Sequence, residues 1–408
     1  MKKHKRILAA AMAVLTLAGV CLLGGCGSKK SSGDAQSSAA QDDHSSGADE
    51  NMTALSVMET VKDMGLGINL GNTFEACGSW INNSKVQNYE TAWGSPVVTQ
   101  EMIQGYANEG FGVLRIPVAW SNMMSEDYTI HPDYLARVHE VTDWALDAGM
   151  YVLLNIHWDG GWFENFADDA QKDECMKKYK RVWDQLSAEF GDEGSHLVFE
   201  SLNEEGCWDS IWNRYGGGSD AEKQKAFGLL NEINQTFVDL VRGTGGKNAE
   251  RCLLIAGYAT DVDMTCDPMF KMPQDPAGRS IVSVHYYTPP TFCILEEDAD
   301  WGKARASWGS PGEINEMKKY MDKLKTTFVD QGIPVIIGEY GCPHKNKEND
   351  SIQKFVTNVC QMSLERGICP VLWDTTGNFY DRSTCKMTDQ ALHDMMFALL
   401  NGEAQAAA

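Results

Sequence analysis

From Met52 to Leu400 one pattern recurs along the chain: apolar residues at helical spacing, then a glycine, then a short and almost unbroken apolar run. Pro132 to Ala148 places Leu135, Val138, Val141 and Leu146 near one face of a helix, with proline in the first turn and Gly149 at the C-cap. Tyr151 to His157 follows as a buried strand. The same order returns where Gly110 precedes Val113 to Val118, Gly332 precedes Pro334 to Gly338, and Gly367 precedes Pro370 to Trp373. Leu66 to Leu70, His196 to Leu202, Arg251 to Tyr258 and Ile281 to Tyr287 bring the apolar runs to eight. These runs are too uniformly apolar for an antiparallel sheet with one wet face, so an α/β fold with a parallel sheet is expected. About 44 residues per unit suits a (β/α)8 TIM barrel, one domain over residues 52–402. A doubly wound open sheet is the competing architecture.

In a parallel barrel the chemistry gathers where strands end and loops begin. Those positions carry Asn69 and Asn72, Arg115, His157, Asn203-Glu204-Glu205, Tyr258, His285 and Tyr287, Glu339, and Trp373-Asp374. Any one of them, taken alone, reads as a residue reaching solvent or capping the next helix. Polar ends on nearly every strand point instead to a shared site. Two ends bring carboxylates, Glu204 after the fourth run and Glu339 after the seventh. Glycosidic cleavage needs such a pair, one to protonate the leaving oxygen and one to attack the anomeric carbon or activate water. The proton donor must keep its proton near neutrality, which burial or a like charge achieves. The other must stay ionised, which Arg115 would favour if it reaches Glu339.

Gly67-Ile-Asn-Leu-Gly-Asn-Thr-Phe-Glu75, Arg115-Ile-Pro-Val, Asn155-Ile-His157, Leu202-Asn-Glu204, His285-Tyr-Tyr287 and Gly338-Glu-Tyr-Gly341 together resemble glycoside hydrolase family 5 of clan A, in its cellulase and endoglucanase branch. The resemblance covers about residues 55 to 400, and its specificity lies in the ordered set, since an Asn-Glu pair alone is weak. It implies that Glu204 is the acid/base and Glu339 the nucleophile of a retaining hydrolase. It further implies that Asn203 binds the sugar 2-hydroxyl, that Arg115 and Tyr287 orient and ionise Glu339, and that His157 and His285 hydrogen-bond the sugar and the catalytic carboxyls. Trp373 would be the platform beneath the ring in subsite −1. Nothing in it implies a metal or an organic cofactor. Two positions depart from the pattern. Glu205 stands where relatives often have proline or a small residue, which is compatible with the chemistry only if its side chain points away. Trp158, where many relatives have a second histidine, opens the loop Asp159-Gly-Gly-Trp162 and bears on which polysaccharide is chosen.

The N-terminal segment is of another kind. Lys2 to Arg6 are basic, and Ile7 to Leu23 are apolar apart from Thr16 and Gly19, which makes residues 1–25 a secretory signal. Leu23-Gly-Gly-Cys26 resembles a bacterial lipobox, so Cys26 is expected to carry a lipid and to anchor the exported protein to the bacterial membrane or cell surface. A spanning helix, which needs about 20 apolar residues, and simple secretion are the alternatives. Residues 26–51 hold small and polar residues only and form a disordered Ser/Gly-rich tether.

The formal charge of −22 becomes −26 without the four N-terminal cations. Such a surface repels phosphate backbones, so nucleic acid is excluded as a partner and a neutral or cationic one is favoured. Of twelve cysteines, Cys21 and Cys26 fall in the signal and lipobox, and the other ten contain no metal-ribbon spacing. Disulfides and buried free thiols both remain open for them. Eight of the twelve tryptophans, at 80, 93, 158, 162, 208, 212, 301 and 308, fall in strand-to-helix loops, where flat rings suit sugars although packing is the ordinary use. Trp120, Trp144 and Trp183 belong to apolar patterns, and His131 and His393 read as structural.

The expectation is a monomeric, surface-anchored endo-β-1,4-glucanase acting on β-glucan polysaccharide or oligosaccharide, with xyloglucanase or β-mannanase activity as the alternatives. With no separate carbohydrate-binding module visible, soluble or amorphous chains are favoured over crystalline cellulose. A sugar-binding lipoprotein would share the signal, the charge and the tryptophans, but not carboxylates at separate strand ends, and intact carboxylates argue against an inactive barrel.

Overall fold

The computed structural model describes residues 51–403. The signal segment, Cys26, the tether up to Glu50 and the tail from Gln405 lie outside the described residues. Eight strands form a closed parallel barrel in chain order: β1 (Gly67–Asn69), β2 (Val113–Ile116), β3 (Tyr151–Asn155), β4 (Leu197–Glu200), β5 (Leu253–Ala256), β6 (Ser280–Tyr286), β7 (Val335–Tyr340) and β8 (Ile368–Leu372). Closure comes from β8 pairing with β1, Gly67 opposite Val371 and Ile68 opposite Leu372, which removes the open-sheet alternative. Each apolar run overlaps one strand, although β6 and β8 begin earlier, at Ser280 and Ile368, and β7 continues to Tyr340. Most strands end one or two residues before their runs do; Asn69, Arg115, His285 and Glu339 lie within strands, whereas His157, Asn203 and Glu204 lie just beyond them.

Helices on the outside include Gln100–Asn108, Pro132–Asp147, Lys172–Glu189, Asp220–Gly243, Pro311–Thr327, Asn349–Leu364 and Gln390–Leu400. Their starts are written locally: Thr99 and Asp389 accept backbone N–H bonds from the first turn, and Ser219 with Glu222 closes a capping box. The Pro132 helix begins as expected and ends one residue early, with Val138 and Val141 buried. Leu135 and Leu146 are only half-buried, and Tyr134 and Ala145 take the inward places. The reason is tertiary: the Tyr134 ring packs edge-on against Phe74, Tyr89 and Trp120, which turns the inward face by one position.

The barrel interior follows the two-residue period of a strand. Its lower part is apolar, with Val113, Leu153, Val198, Leu254, Ile281, Ile336 and Val371 in one cluster that Val61 and Met64 of the helix Val57–Asp63 and its cap complete. The next inward positions toward the strand ends are Arg115, Asn155, Glu200 and Ser283, all fully buried. The core therefore turns from apolar to polar along the barrel axis.

Two irregularities sit at the polar end. The register between β6 and β7 shifts after Val284 and sets His285 opposite Glu339, and that between β7 and β8 shifts between Ile337 and Tyr340. Such bulges re-aim side chains. Gly338 lies at the shift, where a Cβ would come 3.2 Å from both the His285 Nε2 and the Ser283 Oγ.

The sequence did not indicate the small hairpin of β9 (Tyr380–Asp381) and β10 (Lys386–Met387) that follows β8. The ten cysteines beyond the lipobox are all free. Trp120 and Trp183 are core residues while Trp144 is half-buried. Of the loop tryptophans, Trp208, Trp212 and Trp308 are buried, Trp93, Trp162 and Trp301 are half-buried, and Trp80 and Trp158 are 65% and 42% exposed.

Candidate active site

Arg115 is the centre of the site. Its guanidinium is fully buried and spends its donors on four partners: Glu200 at 2.7 Å, Glu339 at 2.7 Å, Asn69 at 3.1 Å and Asn203 at 2.8 Å. Burial works against its charge, but Glu200 and Glu339 outweigh burial and push its pKa up, so it stays cationic. Asn69 is held in turn by its amide, which donates to the carbonyls of Gly338 and Leu372. The arginine thus ties the ends of β1, β4 and β7 to one fork.

Glu339 accepts from Arg115 on one oxygen and from the Tyr287 hydroxyl, at 3.0 Å, on the other. Burial raises its pKa, His285 and Arg115 oppose the rise, and Glu204 adds to it. The sequence-based expectation that Arg115 favours the ionised form is met as an opposing force, while the net direction set by burial is upward. Tyr287 keeps its proton, because burial and then Glu339 and Glu204 drive its pKa well above the ordinary value.

Glu204 faces Glu339 across the mouth. One oxygen of each lies within 4.8 Å of the other and of a His285 nitrogen. The Glu204 side chain is 23% exposed against 7% for Glu339. Its pKa is raised to about 7, first by burial, with Arg115 opposing and Glu200 contributing. His285 Nδ1 sits 2.7 Å from the Glu204 carboxylate and 3.6 Å from Glu339. Burial lowers the His285 pKa to about 4, so the ring is neutral. Its Nε2 is buried without a partner, which places the single proton on Nδ1, where the acceptors are. His285 then donates to one Glu204 oxygen and leaves the other for a substrate.

His157 differs from its expected role in one respect. Among the described residues it has no hydrogen bond or ion pair to a carboxylate; its Nδ1 accepts from the Asn155 amide at 3.3 Å, and its ring lies parallel to Trp373 with centroids 5.8 Å apart. Burial first, then Arg115 and His285, hold its pKa well below the ordinary value, so a neutral ring with Nε2–H free to donate results. Asn203 gives its carbonyl to Arg115, which leaves its amide group to donate. The Glu205 carboxyl is pushed up to about 8 by burial and then by Glu204 and Glu164, so it adds no second negative charge near neutrality. The loop after β3 is anchored by Asp159, whose carboxylate accepts from the Ser121 backbone, the Ser121 hydroxyl and the Trp162 indole.

Three atoms of Glu204, His285 and Glu339 are spaced as metal ligands could be, but Arg115 and Tyr287 already occupy the oxygens of Glu339, and the Arg115 cation repels a second one. The arrangement is that of two unequal carboxyls, one shielded and donated to from two sides, the other half-open and protonated near neutrality.

The model of the cellulase family, glycosyl hydrolase family 5, matches residues 74–379. The chain belongs to glycosyl hydrolase family 5. Endoglucanase A of Ruminococcus albus is 35% identical over 81% of this chain and 89% of its own length. The xyloglucan-specific endo-β-1,4-glucanase BoGH5A of Bacteroides ovatus is 33% identical over 82% of this chain and 68% of its length. A GH5-4 broad specificity endoglucanase from an uncultured bovine rumen ciliate superposes with a TM-score of 0.77 at 36% identity, over 85% of this chain and 99% of that one.

Within this family 5 site the structure brings together Arg115, Asn203, Glu204, His285, Tyr287 and Glu339, and sets His157 and Trp373 side by side at its edge. Tyr258 is not part of it; the ring is buried and stacks on Phe227 at 4.0 Å. Glu200 was missed. It lies inside an apolar run, accepts from Arg115 and from the Ser283 hydroxyl at 3.0 Å, and a lone carboxylate between Phe199 and Leu202 was the available signal.

Proposed function

We propose that this family 5 hydrolase cleaves β-1,4-glucan internally with retention of configuration, and that Cys26 anchors it by lipid to the bacterial surface. The observation that carries the reading is the pair Glu204 and Glu339, oxygen atoms within 4.8 Å, supported from opposite sides by different partners. An approach of one oxygen of each to within 4.8 Å leaves little room for a water between the carboxyls, which supports retention over the roughly 6.5–9.5 Å separation of inverting enzymes.

In this mechanism a glucosyl unit lies over Trp373 with its 2-hydroxyl at the Asn203 amide. The Glu339 carboxylate attacks the anomeric carbon while Glu204 gives its proton to the departing glycosidic oxygen, so the C–O bond breaks as the ester bond forms. Arg115 and Tyr287 hold the attacking carboxylate in line. As Glu339 becomes an ester its charge is lost, and Glu204, now ionised, takes a proton from water, which attacks the same carbon and frees Glu339. The relatives' names, one broad in specificity and one directed to xyloglucan, support a β-1,4-glucan backbone with tolerance for decoration or mixed linkage.

The test is reducing-sugar release by the purified protein on carboxymethylcellulose, barley β-glucan, xyloglucan and β-mannan, with proton NMR of the first-formed anomer. Activity on a glucan with the β-anomer appearing first supports the reading. An α-anomer overturns retention, and release from mannan alone overturns the glucan assignment. Labelled palmitate incorporated into the wild type and absent from Cys26→Ala is the outcome expected of the anchor.

Since Glu204 must be protonated to act and its pKa stands at about 7, kcat/KM falls on the alkaline side with a limb near that value. Glu204→Gln removes the limb and lowers activity on unactivated glucan by about 10²–10⁴-fold. A much smaller loss on an aryl glycoside, whose leaving group needs no proton, separates this role from a folding defect. An unchanged alkaline limb in the variant would assign that limb to another group.

A further inference from the structure

Behind Trp373 lies a buried polar cluster that the chemistry above does not use. Arg382, in the link between β9 and β10, is 1% exposed. Its guanidinium donates to the Thr73 hydroxyl at 2.8 Å, the Ser95 hydroxyl at 3.0 Å, the Tyr106 hydroxyl at 3.2 Å and the Gly71 carbonyl at 2.7 Å. It has no carboxylate in ion-pair contact among the described residues; Asp374 and Glu75 act on it only at longer range.

We propose that Arg382 is a positioning residue for cleavage, acting through Gly71 on the indole of Trp373. The proposal rests on the reading of Trp373 as the platform of subsite −1. Residue 71 is the link because the two sides of its backbone meet different partners. Its carbonyl accepts from Arg382, and its N–H donates to the Asp374 carbonyl at 3.1 Å. A Cβ at this position would come 2.4 Å from that Asp374 oxygen and 3.2 Å from the six-membered ring of Trp373. The indole therefore rests on the bare backbone of Gly71, and Arg382 fixes where that backbone lies.

Asp374 completes the device from the strand side. One carboxylate oxygen accepts from the backbone N–H groups of Phe379 and Tyr380, at 2.9 and 3.1 Å, which folds the chain back and delivers Arg382 behind Gly71. The other oxygen is buried without a partner. On the far side the backbone N–H of Trp373 donates to the Tyr340 carbonyl at 2.8 Å, one residue beyond Glu339. The backbone of Trp373 is thus held to the strand that carries Glu339, while its ring lies against Gly71 on the side of the Arg382 cluster.

A buried guanidinium and a half-satisfied carboxylate are costly, and well-packed apolar residues would hold a hairpin at least as well. A planar fork of donors instead fixes direction. Misplacing a positioning group by about 1 Å can lower a rate by about 10²-fold.

The experiment is a double-mutant cycle in the full chain: wild type, Arg382→Met, Trp373→Phe and the double variant, with kcat and KM on soluble barley β-glucan and thermal midpoints recorded beside them. We expect Arg382→Met to lower kcat roughly 10- to 100-fold with a smaller change in KM. In the Trp373→Phe background the same substitution should add less than about 2-fold, because the group it acts through has gone. Equal losses in both backgrounds, with Trp373→Phe itself impaired, overturn the proposal and leave the platform reading standing. A fully active Trp373→Phe overturns both. Should Arg382→Met fail to fold, Arg382→Lys and Asp374→Asn enter the same cycle and are judged by the same non-additivity.

Discussion

Glu339→Gln lowers kcat on every glucan by at least about 10⁴-fold while the protein folds and still binds substrate. The amide is nearly isosteric with the carboxylate but cannot form the glycosyl ester. Its oxygen can still accept from Arg115 or from Tyr287, the two donors that hold the native side chain at 2.7 and 3.0 Å. The comparison with Glu204→Gln is diagnostic. An activated aryl glycoside bypasses the need for a proton and recovers much of the Glu204→Gln loss, but it cannot bypass the attacking group. Glu339→Gln should therefore stay inactive on both substrate types. Equal recovery of the two variants on an aryl glycoside would exchange or dissolve the assigned roles.

Arg115→Met lowers folding stability by roughly 3–5 kcal/mol, the cost of leaving buried charge without its partner. The methionine fills much of the space, so packing is a small part of the loss. Glu200 and Glu339 are left behind in a barrel interior where Arg115 is the cation bonded to both. Activity should also collapse, since Glu339 and Asn203 lose a shared donor. Urea unfolding of the variant beside Arg115→Met/Glu200→Gln separates the causes. Removing one stranded carboxylate should restore part of the stability and none of the activity. A double variant no more stable than the single one would show that lost packing, not unpaired charge, carries the destabilisation.

Much of the site was legible along the chain because a buried parallel strand has little reason to end in a polar residue unless the loop face is used. Arg115, Glu204, His285, Tyr287 and Glu339 stood out on that ground, and all five converge. Tyr258 stood out equally and packs into the core, since an aromatic ring at a strand end can be buried by a neighbouring helix. Glu200 escaped because its run gave no hint of which positions face inward; a two-residue period becomes readable only once one inward residue is known. His157 was expected to reach the catalytic carboxyls, and its partners in the structure are Asn155 and Trp373. Arg382 had no signal at all, because the hairpin that carries it was not foreseen.

The number of strand-and-helix units, their parallel arrangement and the inventory of groups at the mouth are properties of the sequence itself. They follow from local spacing of apolar residues and from what a strand and a helix must bury. Which of those groups share a proton, a donor or a charge was decided by tertiary structure alone. Arg115 and Glu339 are 224 positions apart in the chain and 2.7 Å apart in space, and the β6–β7 register shift sets His285 opposite Glu339. Electrostatic work depends on distance through the fold and on exclusion of water, neither of which is written in spacing along a chain. For that reason the two glutamates are equivalent as letters, and the barrel gives one a more open carboxyl held by His285 and the other a shielded carboxyl held by Arg115 and Tyr287.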